Sequence, residues 1–328
     1  MWKRILGVLA LLVVAVVGGG IGYLYVKKPS IAPPSDIKVE MTPERIERGR
    51  HLFQEIGDCD GCHSERDLTR FGGPVIEAGR GKGWTFPSEL GLPGTVTAPN
   101  ITPDRETGIG AWTDGEKIRA IREGISRDGR VLFPIMPYPN FRMMSDEDVY
   151  AIVAYMNTLP AVRNPLPVTK VDFPVSLMIK SVPQPAGSVP PPNRGDKMKH
   201  GEYLATIGGC MGCHTQEERG QPVEGMRLAG GRVFKMPMGT VVTANITPDT
   251  ETGIGKWTEQ QFLDKFYQYK DYVEKGSPKV GPEGFTLMPW LPMSQLPPED
   301  LGAIYAYLKV QPAVHNAVET HPGYAKQN

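Results

Sequence analysis

Residues 100–113 read N-I-T-P-D-R-E-T-G-I-G-A-W-T, and residues 245–258 read N-I-T-P-D-T-E-T-G-I-G-K-W-T. Twelve of the fourteen positions are identical, so one unit is written twice. Further matches keep the same order on either side. Gly57-Asp-Cys-Asp-Gly-Cys-His63 pairs with Gly208-Gly-Cys-Met-Gly-Cys-His214, Met136-Pro-Tyr138 with Met288-Pro-Trp290, and residues 150–162 with 302–314. Two copies are too few for a solenoid. The expectation is two similar domains in tandem, at 41–173 and 194–328, joined by a Pro-rich extended linker at 174–193.

Capping signals give the local structure. Thr42-Pro43 and Asp196 open the first helix of each unit. Thr113-Asp-Gly-Glu116 and Thr258-Glu-Gln-Gln261 have the form of capping boxes. Ser145 precedes a helix with an apolar stripe at Val149, Ile152, Val153 and Met156, and residues 298–309 are its counterpart. No run of alternating strand residues stands out. The fold class expected is all-α, short helices joined by long Gly/Pro loops, which need something to pack against.

Residues 1–28 lack acidic groups, and Ile5–Val26 is an uncharged run of 22 residues, enough for a hydrocarbon core of about 30 Å. A cleaved signal peptide has a shorter apolar stretch and a small-residue cleavage site. Residues 1–28 are therefore expected to be a transmembrane anchor, followed by a stiff spacer at 29–40 containing Ile31-Ala-Pro-Pro. Over the full 328 residues, 36 basic side chains balance 36 acidic ones. That balance excludes nucleic-acid binding driven by bulk phosphate attraction.

All four cysteines lie in Cys59-Asp-Gly-Cys62-His63 and Cys210-Met-Gly-Cys213-His214. C-x-x-C-H is the attachment pattern for c-type haem. On a helical turn, the two-residue spacer lets both thiols reach the two vinyl groups and leaves the adjacent His beneath the iron. A zinc site gathers four such ligands in one cluster, a thioredoxin-like pair needs a βαβ context, and a disulfide leaves both His unexplained. Two covalent haem c groups are thus expected, with His63 and His214 as proximal ligands. Haem c is installed outside the cytoplasm. The expected location is the bacterial inner membrane, single-pass, with the N-terminus in the cytoplasm and the haem domains in the periplasm.

The far face of each iron decides between carrier and catalyst. Met136 and Met288 lie 73 and 74 residues after His63 and His214, each followed by Pro and an aromatic residue. They are the expected distal ligands, with nearby Met293 the competitor in the second unit. Met288 lies 31 positions after Trp257, whereas Met136 lies 24 after Trp112, an insertion around 269–283. The Asn100/Trp112 and Asn245/Trp257 loops are expected to wall the haems, with indole N–H groups near propionates. A purely structural turn is the other reading of these loops. His51 and His200 are expected to be surface or hydrogen-bonding residues.

The stretches R-G-R-H-L-F…C-D-G-C-H, N-I-T-P-D-R-E-T-G-I-G-A-W-T, L-F-P-I-M-P-Y-P-N-F and D-V-Y-A-I-V-A-Y-M, with their copies, resemble the cytochrome c subunits of bacterial alcohol and gluconate dehydrogenases and tandem class I dihaem cytochromes c. The resemblance implies that the first and last helices of each domain cross, with Gly49 and Gly201 close to Tyr155 and Tyr307. Those dehydrogenase subunits usually carry three haems and a C-terminal anchor, whereas this sequence has two motifs and an N-terminal apolar run. The expected function is electron transfer, not catalysis. It would run between a membrane complex or dehydrogenase and a cytochrome, oxidase or reaction centre, within a larger complex. The alternative is a dihaem enzyme such as a peroxidase or thiosulfate dehydrogenase.

Overall fold

The computed structural model describes residues 2–218 and 220–323. Helix α1 (Trp2–Val26) buries none of its residues against the rest of the chain. Among the described residues it is the one helix long and apolar enough to cross a membrane.

Each repeat is built on two crossing helices. In the first, α2 (Pro43–His51) crosses α6 (Asp146–Thr158); in the second, α8 (Lys197–Ile207) crosses α13 (Pro298–Lys309). The crossings depend on glycine. A Cβ on Gly49 would overlap the Ala151 carbonyl and come within 2.8 Å of Tyr155 Cβ; one on Gly201 would overlap the Ala303 carbonyl and stand 3.0 Å from Tyr307 Cβ. Each pair is completed by a helix with a closed capping box: α4 (Asp114–Glu123) begins at Thr113 and Glu116, and α10 (Glu259–Tyr267) at Thr258 and Gln261. The apolar core runs through both repeats as one cluster, from Phe53 and Ile152 to Leu204 and Ile304.

The repeats differ by one residue in their first helix. Ten steps separate Gly49 from Cys59, but nine separate Gly201 from Cys210. The structure absorbs the extra residue as a π-helical turn at Leu52–Ile56, closed by Gly57 N donating to Leu52 O at 2.8 Å. In repeat 2 the helix stays α-helical, and Gly208 N donates to Leu204 O.

The chain is not all helix. Four two-stranded antiparallel ribbons occur among the described residues: β1 (Trp84–Thr85) with β3 (Thr97–Ala98), β2 (Gly94–Thr95) with β4 (Lys170–Val171), β5 (Glu217–Glu218) with β6 (Gln221–Pro222), and β7 (Val233–Met236) with β8 (Gly239–Val242). They are too short to show a period in the sequence, and they stiffen the long loops.

Neither connecting segment hangs free. Val39, in the spacer after α1, is buried and its N–H donates to Asp114 Oδ2 at 3.0 Å, while the Ser35 carbonyl lies where a Cβ of Gly115 would be. Between the repeats, α7 (Val175–Met178) forms, and Arg122, Glu123 and Asp146 of repeat 1 hold residues 186–189. The insertion of repeat 2, which includes α11 (Lys270–Lys275), is a strap. Phe71 N donates to Pro278 O, Val280 N donates to Thr69 O, and Phe71 stacks on Tyr269 with ring centroids 4.8 Å apart.

Candidate haem sites

Each C-x-x-C-H motif is a helical turn of its own: α3 (Cys59–His63) and α9 (Cys210–His214). To leave the long helix and start this turn, the chain must pass through a left-handed residue. Gly209 does so at φ 67° without a Cβ cost. Asp58 does so at φ 42°, where its carboxylate also caps the turn by accepting from Gly61 N at 3.1 Å.

The two histidines are held alike. His63 Nδ1 lies 2.9 Å from Pro99 O, and His214 Nδ1 lies 2.7 Å from Ala244 O. A carbonyl oxygen can only accept, so Nδ1 carries the proton and Nε2 presents its lone pair. Among the described residues Nε2 of neither ring has a hydrogen-bond partner. Burial holds both imidazoles below the ordinary histidine range, and so neutral. That is the arrangement of a metal-binding imidazole. Behind each ring, the histidine's own carbonyl accepts from a glycine, Gly83 at 2.8 Å or Gly230 at 2.7 Å. Both glycines have positive φ, and a Cβ on either would overlap the neighbouring strand's backbone.

None of the four cysteines is joined to another in a disulfide. Burial pushes the Cys59, Cys62 and Cys210 thiols up from their ordinary value. A redox-active thiol pair needs the opposite shift, so attachment to a bulky group fits the donor set better. No cluster of three or more His, Cys, Asp or Glu suited to a metal ion is present among the described residues.

The methionine loops also match. Tyr138 N donates to Met136 O at 2.8 Å across Pro137, and Trp290 N donates to Met288 O at 2.7 Å across Pro289. The prolines sit at φ −80°, ψ 46° and φ −74°, ψ 59°, close to an inverse γ-turn. Met136 and Met288 are half-buried against the core. Met293 is buried within the core at the register position of Phe141.

The repeated Asn loops are held by their own amides. Asn100 accepts from Thr102 N and Oγ1 and donates to Val162 O at 2.7 Å; Asn245 accepts from Thr247 and donates to Val314 O at 2.8 Å. Their amides pin the chain that follows α6 and α13. Trp112 and Trp257 are half-buried against the core, and Trp112 also lines a cleft with residues 34–38. Neither indole N–H has a protein partner among the described residues. His51 and His200 meet at Asp300, with Nε2 atoms at 3.3 Å and 2.7 Å from its carboxylate.

One candidate escaped sequence reasoning. Trp84 follows Gly83, immediately behind the His63 carbonyl contact, and its buried indole N–H has no protein partner among the described residues. Repeat 2 has Gly231 there, so comparing the repeats hides it. An unpaired donor so close to a neutral histidine suits an anionic edge, as a haem propionate would supply.

Residues 46–160 match the family model described as cytochrome c. These residues are a cytochrome c domain. The cofactor that such a domain implies is covalent haem c. The chain is 30% identical over 283 residues to the cytochrome c subunit of alcohol dehydrogenase (quinone) from Gluconacetobacter polyoxogenes, covering 82% of this chain and 56% of that one. It is 32% identical over 308 residues to a nicotinate dehydrogenase subunit of Pseudomonas putida, covering 89% of this chain and 24% of that one. The chain thus spans about half, or less, of these two relatives. A diheme cytochrome c-type protein of Cereibacter sphaeroides is 29% identical over 314 residues, 92% of this chain and 97% of that one.

Proposed function

We propose that the chain is a membrane-anchored dihaem c-type cytochrome that carries electrons and is a subunit of a larger dehydrogenase or respiratory complex. The relatives named as dehydrogenase cytochrome subunits support the setting, and the Cereibacter sphaeroides protein supports two haems. The observation that carries the reading is the pair of C-x-x-C-H histidines, each with Nδ1 on a backbone carbonyl and, among the described residues, no partner on Nε2.

In this reading residues 1–28 are the anchor, with the N-terminus in the cytoplasm and two haem domains, 41–173 and 194–328, in the periplasm of an inner membrane. Cys59, Cys62, Cys210 and Cys213 hold the groups. His63 and Met136 ligate the first iron, and His214 and Met288 the second. Haem iron supplies a one-electron couple. The residues do the rest. The γ-turn prolines fix each thioether, and the carbonyl bonds to Nδ1 fix each imidazole plane and raise its basicity. The residues leading into the two motif turns are neighbours: a Cβ on Gly208 would meet Ile56 Cδ1 at 2.9 Å and the Ile56 carbonyl at 3.3 Å. That proximity suits passage of an electron from one unit to the other.

The test is spectroscopic. Two haems per chain are expected by alkaline pyridine spectroscopy, and Cys210→Ala with Cys213→Ala halves the count. Met136→Ala and Met288→Ala each remove half of the weak far-red sulfur-to-iron band and lower one midpoint potential, because a thioether ligand raises it. A colourless protein, or zinc in place of iron, overturns the reading. Prompt binding of carbon monoxide by the reduced protein at neutral pH favours the peroxidase-type enzyme instead.

A further inference from the structure

The segment between the repeats returns to the end of α1. Lys27 Nζ donates to Ser181 Oγ at 3.2 Å, and Lys180 Nζ donates to the Tyr25 carbonyl at 3.1 Å while standing 5.8 Å from the Tyr25 ring centre. Leu177 and Ile179 of this segment are buried against the protein, yet Met178 between them is 57% exposed and Phe173 is 67% exposed. Large apolar side chains are thus left bare beside the point where the long apolar helix meets the folded body.

We infer that residues 173–181 are a second membrane contact, in which Phe173 and Met178 enter the interfacial layer of the bilayer that α1 crosses. The inference rests on the membrane-anchored reading of α1. Twenty-five helical residues rise about 37 Å, more than a hydrocarbon core of about 30 Å. The end of α1 therefore lies among the headgroups, and so do the groups bonded to Tyr25 and Lys27. Tyr23 and Tyr25 suit that depth, where aromatic side chains with a polar tip concentrate. Lys27, Lys28 and Lys180 supply positive charge there against anionic headgroups, with Asp172 as the opposing acid next to Phe173. A free apolar face at that depth meets lipid. The contact would add a second point of attachment beside α1 and so fix the tilt of the repeats over the membrane.

The test uses the full haem-loaded chain in nanodiscs of phosphatidylethanolamine and phosphatidylglycerol. Leu9, Phe173 and Met178 are replaced one at a time by photoreactive p-benzoylphenylalanine, and adducts are identified by mass spectrometry after illumination. The expected result is lipid adducts at all three, with yields at 173 and 178 comparable to that at 9. Adducts at 9 with none at 173 and 178 overturn the inference and leave the anchor standing. So do adducts at 173 and 178 that are polypeptide and not lipid. No lipid adduct at 9 overturns the anchor itself, and the inference with it.

Discussion

The seam between the repeats contains the same device twice, with different donors. Asp148 in repeat 1 accepts from Arg48 Nε and Nη2 at 2.8 and 3.0 Å and from Tyr203 Oη of repeat 2 at 2.5 Å. Asp300, its register partner, lies 2.7 Å from His200 Nε2 of its own repeat and 3.3 Å from His51 Nε2 of repeat 1. Arg48 matches His200 in register, and His51 matches Tyr203. Each aspartate therefore binds one donor from its own first helix and one from the other repeat's, as in an isologous dimer fused into one chain. One half uses an arginine, charged at every accessible pH, and a tyrosine that burial and Asp148 keep protonated. The other half uses two histidines. The acceptor is common to both, and the chemistry of the donors decides whether a half responds to pH.

Removing what the two halves share gives the largest effect. Gly49→Val and Gly201→Val each drive a side chain into a backbone carbonyl of the crossing helix. Neither helix can shift without opening the core, so each variant is expected to lose about 5 kcal/mol or more, enough to prevent stable folding. Thermal melts of the two variants check this. A well-folded Gly201→Val would show that the second crossing is looser than the first.

Much of this was legible in the sequence because the repeat made it so. The caps at Thr113 and Thr258, the paired motif turns and the Met-Pro-aromatic loops occur twice at fixed register, and pairing turned weak signals into firm ones. What the sequence hid falls outside that pairing. Trp84 has no counterpart. The π-turn at 52–56 arises from a single extra residue in a stretch that otherwise aligns. The ribbons are two to four residues long. The Asn100 and Asn245 amides were paired, but pairing shows that a residue matters without saying what it touches. The strap at 269–283 was visible as an insertion, yet its contact with Phe71 depends on tertiary packing alone.

Breaking each aspartate in turn sharpens the comparison. Asp148→Asn leaves the Arg48 guanidinium half-buried without a counter-charge, and it cannot shed its proton. The expected cost is about 3 kcal/mol. Asp300→Asn leaves His51 able to become neutral and to accept from or donate to the amide, with His200 Nε2 still beside it. The expected cost at neutral pH is about 1–2 kcal/mol. Denaturant unfolding of both variants measures the gap. Equal losses would mean that the arginine half carries no special burden.

The smallest expected effect separates the halves by pH. Burial opposes charge on His51, but its hydrogen bonds to Asp300 and Glu55 outweigh that and raise it from 6.5 to about 9. Burial likewise opposes charge on Asp300, and its bonds to His51 and His200 lower it from 3.8 to about 2. Glu47, Arg48, Arg50, Glu55, Arg194 and Glu299 line the cleft around this pair. A histidine raised on folding binds its proton more tightly when folded, so its contribution is complete below 6.5 and disappears as pH climbs through about 9. An aspartate lowered on folding contributes above 3.8 and loses that contribution as pH falls toward about 2. The histidine half is therefore tightest from just above 3.8 up to 6.5. Between neutral pH and the alkaline side of 9 it should lose about 1–2 kcal/mol, since solvent reaches the cleft and screens part of the interaction. His51→Gln retains a donor for Asp300 but cannot titrate, so its stability should be flatter across that range. The arginine half keeps both proteins joined at the seam throughout. Unfolding midpoints of the two proteins measured from neutral to alkaline pH decide the matter: parallel curves would mean that the proton on His51 does not hold the repeats together.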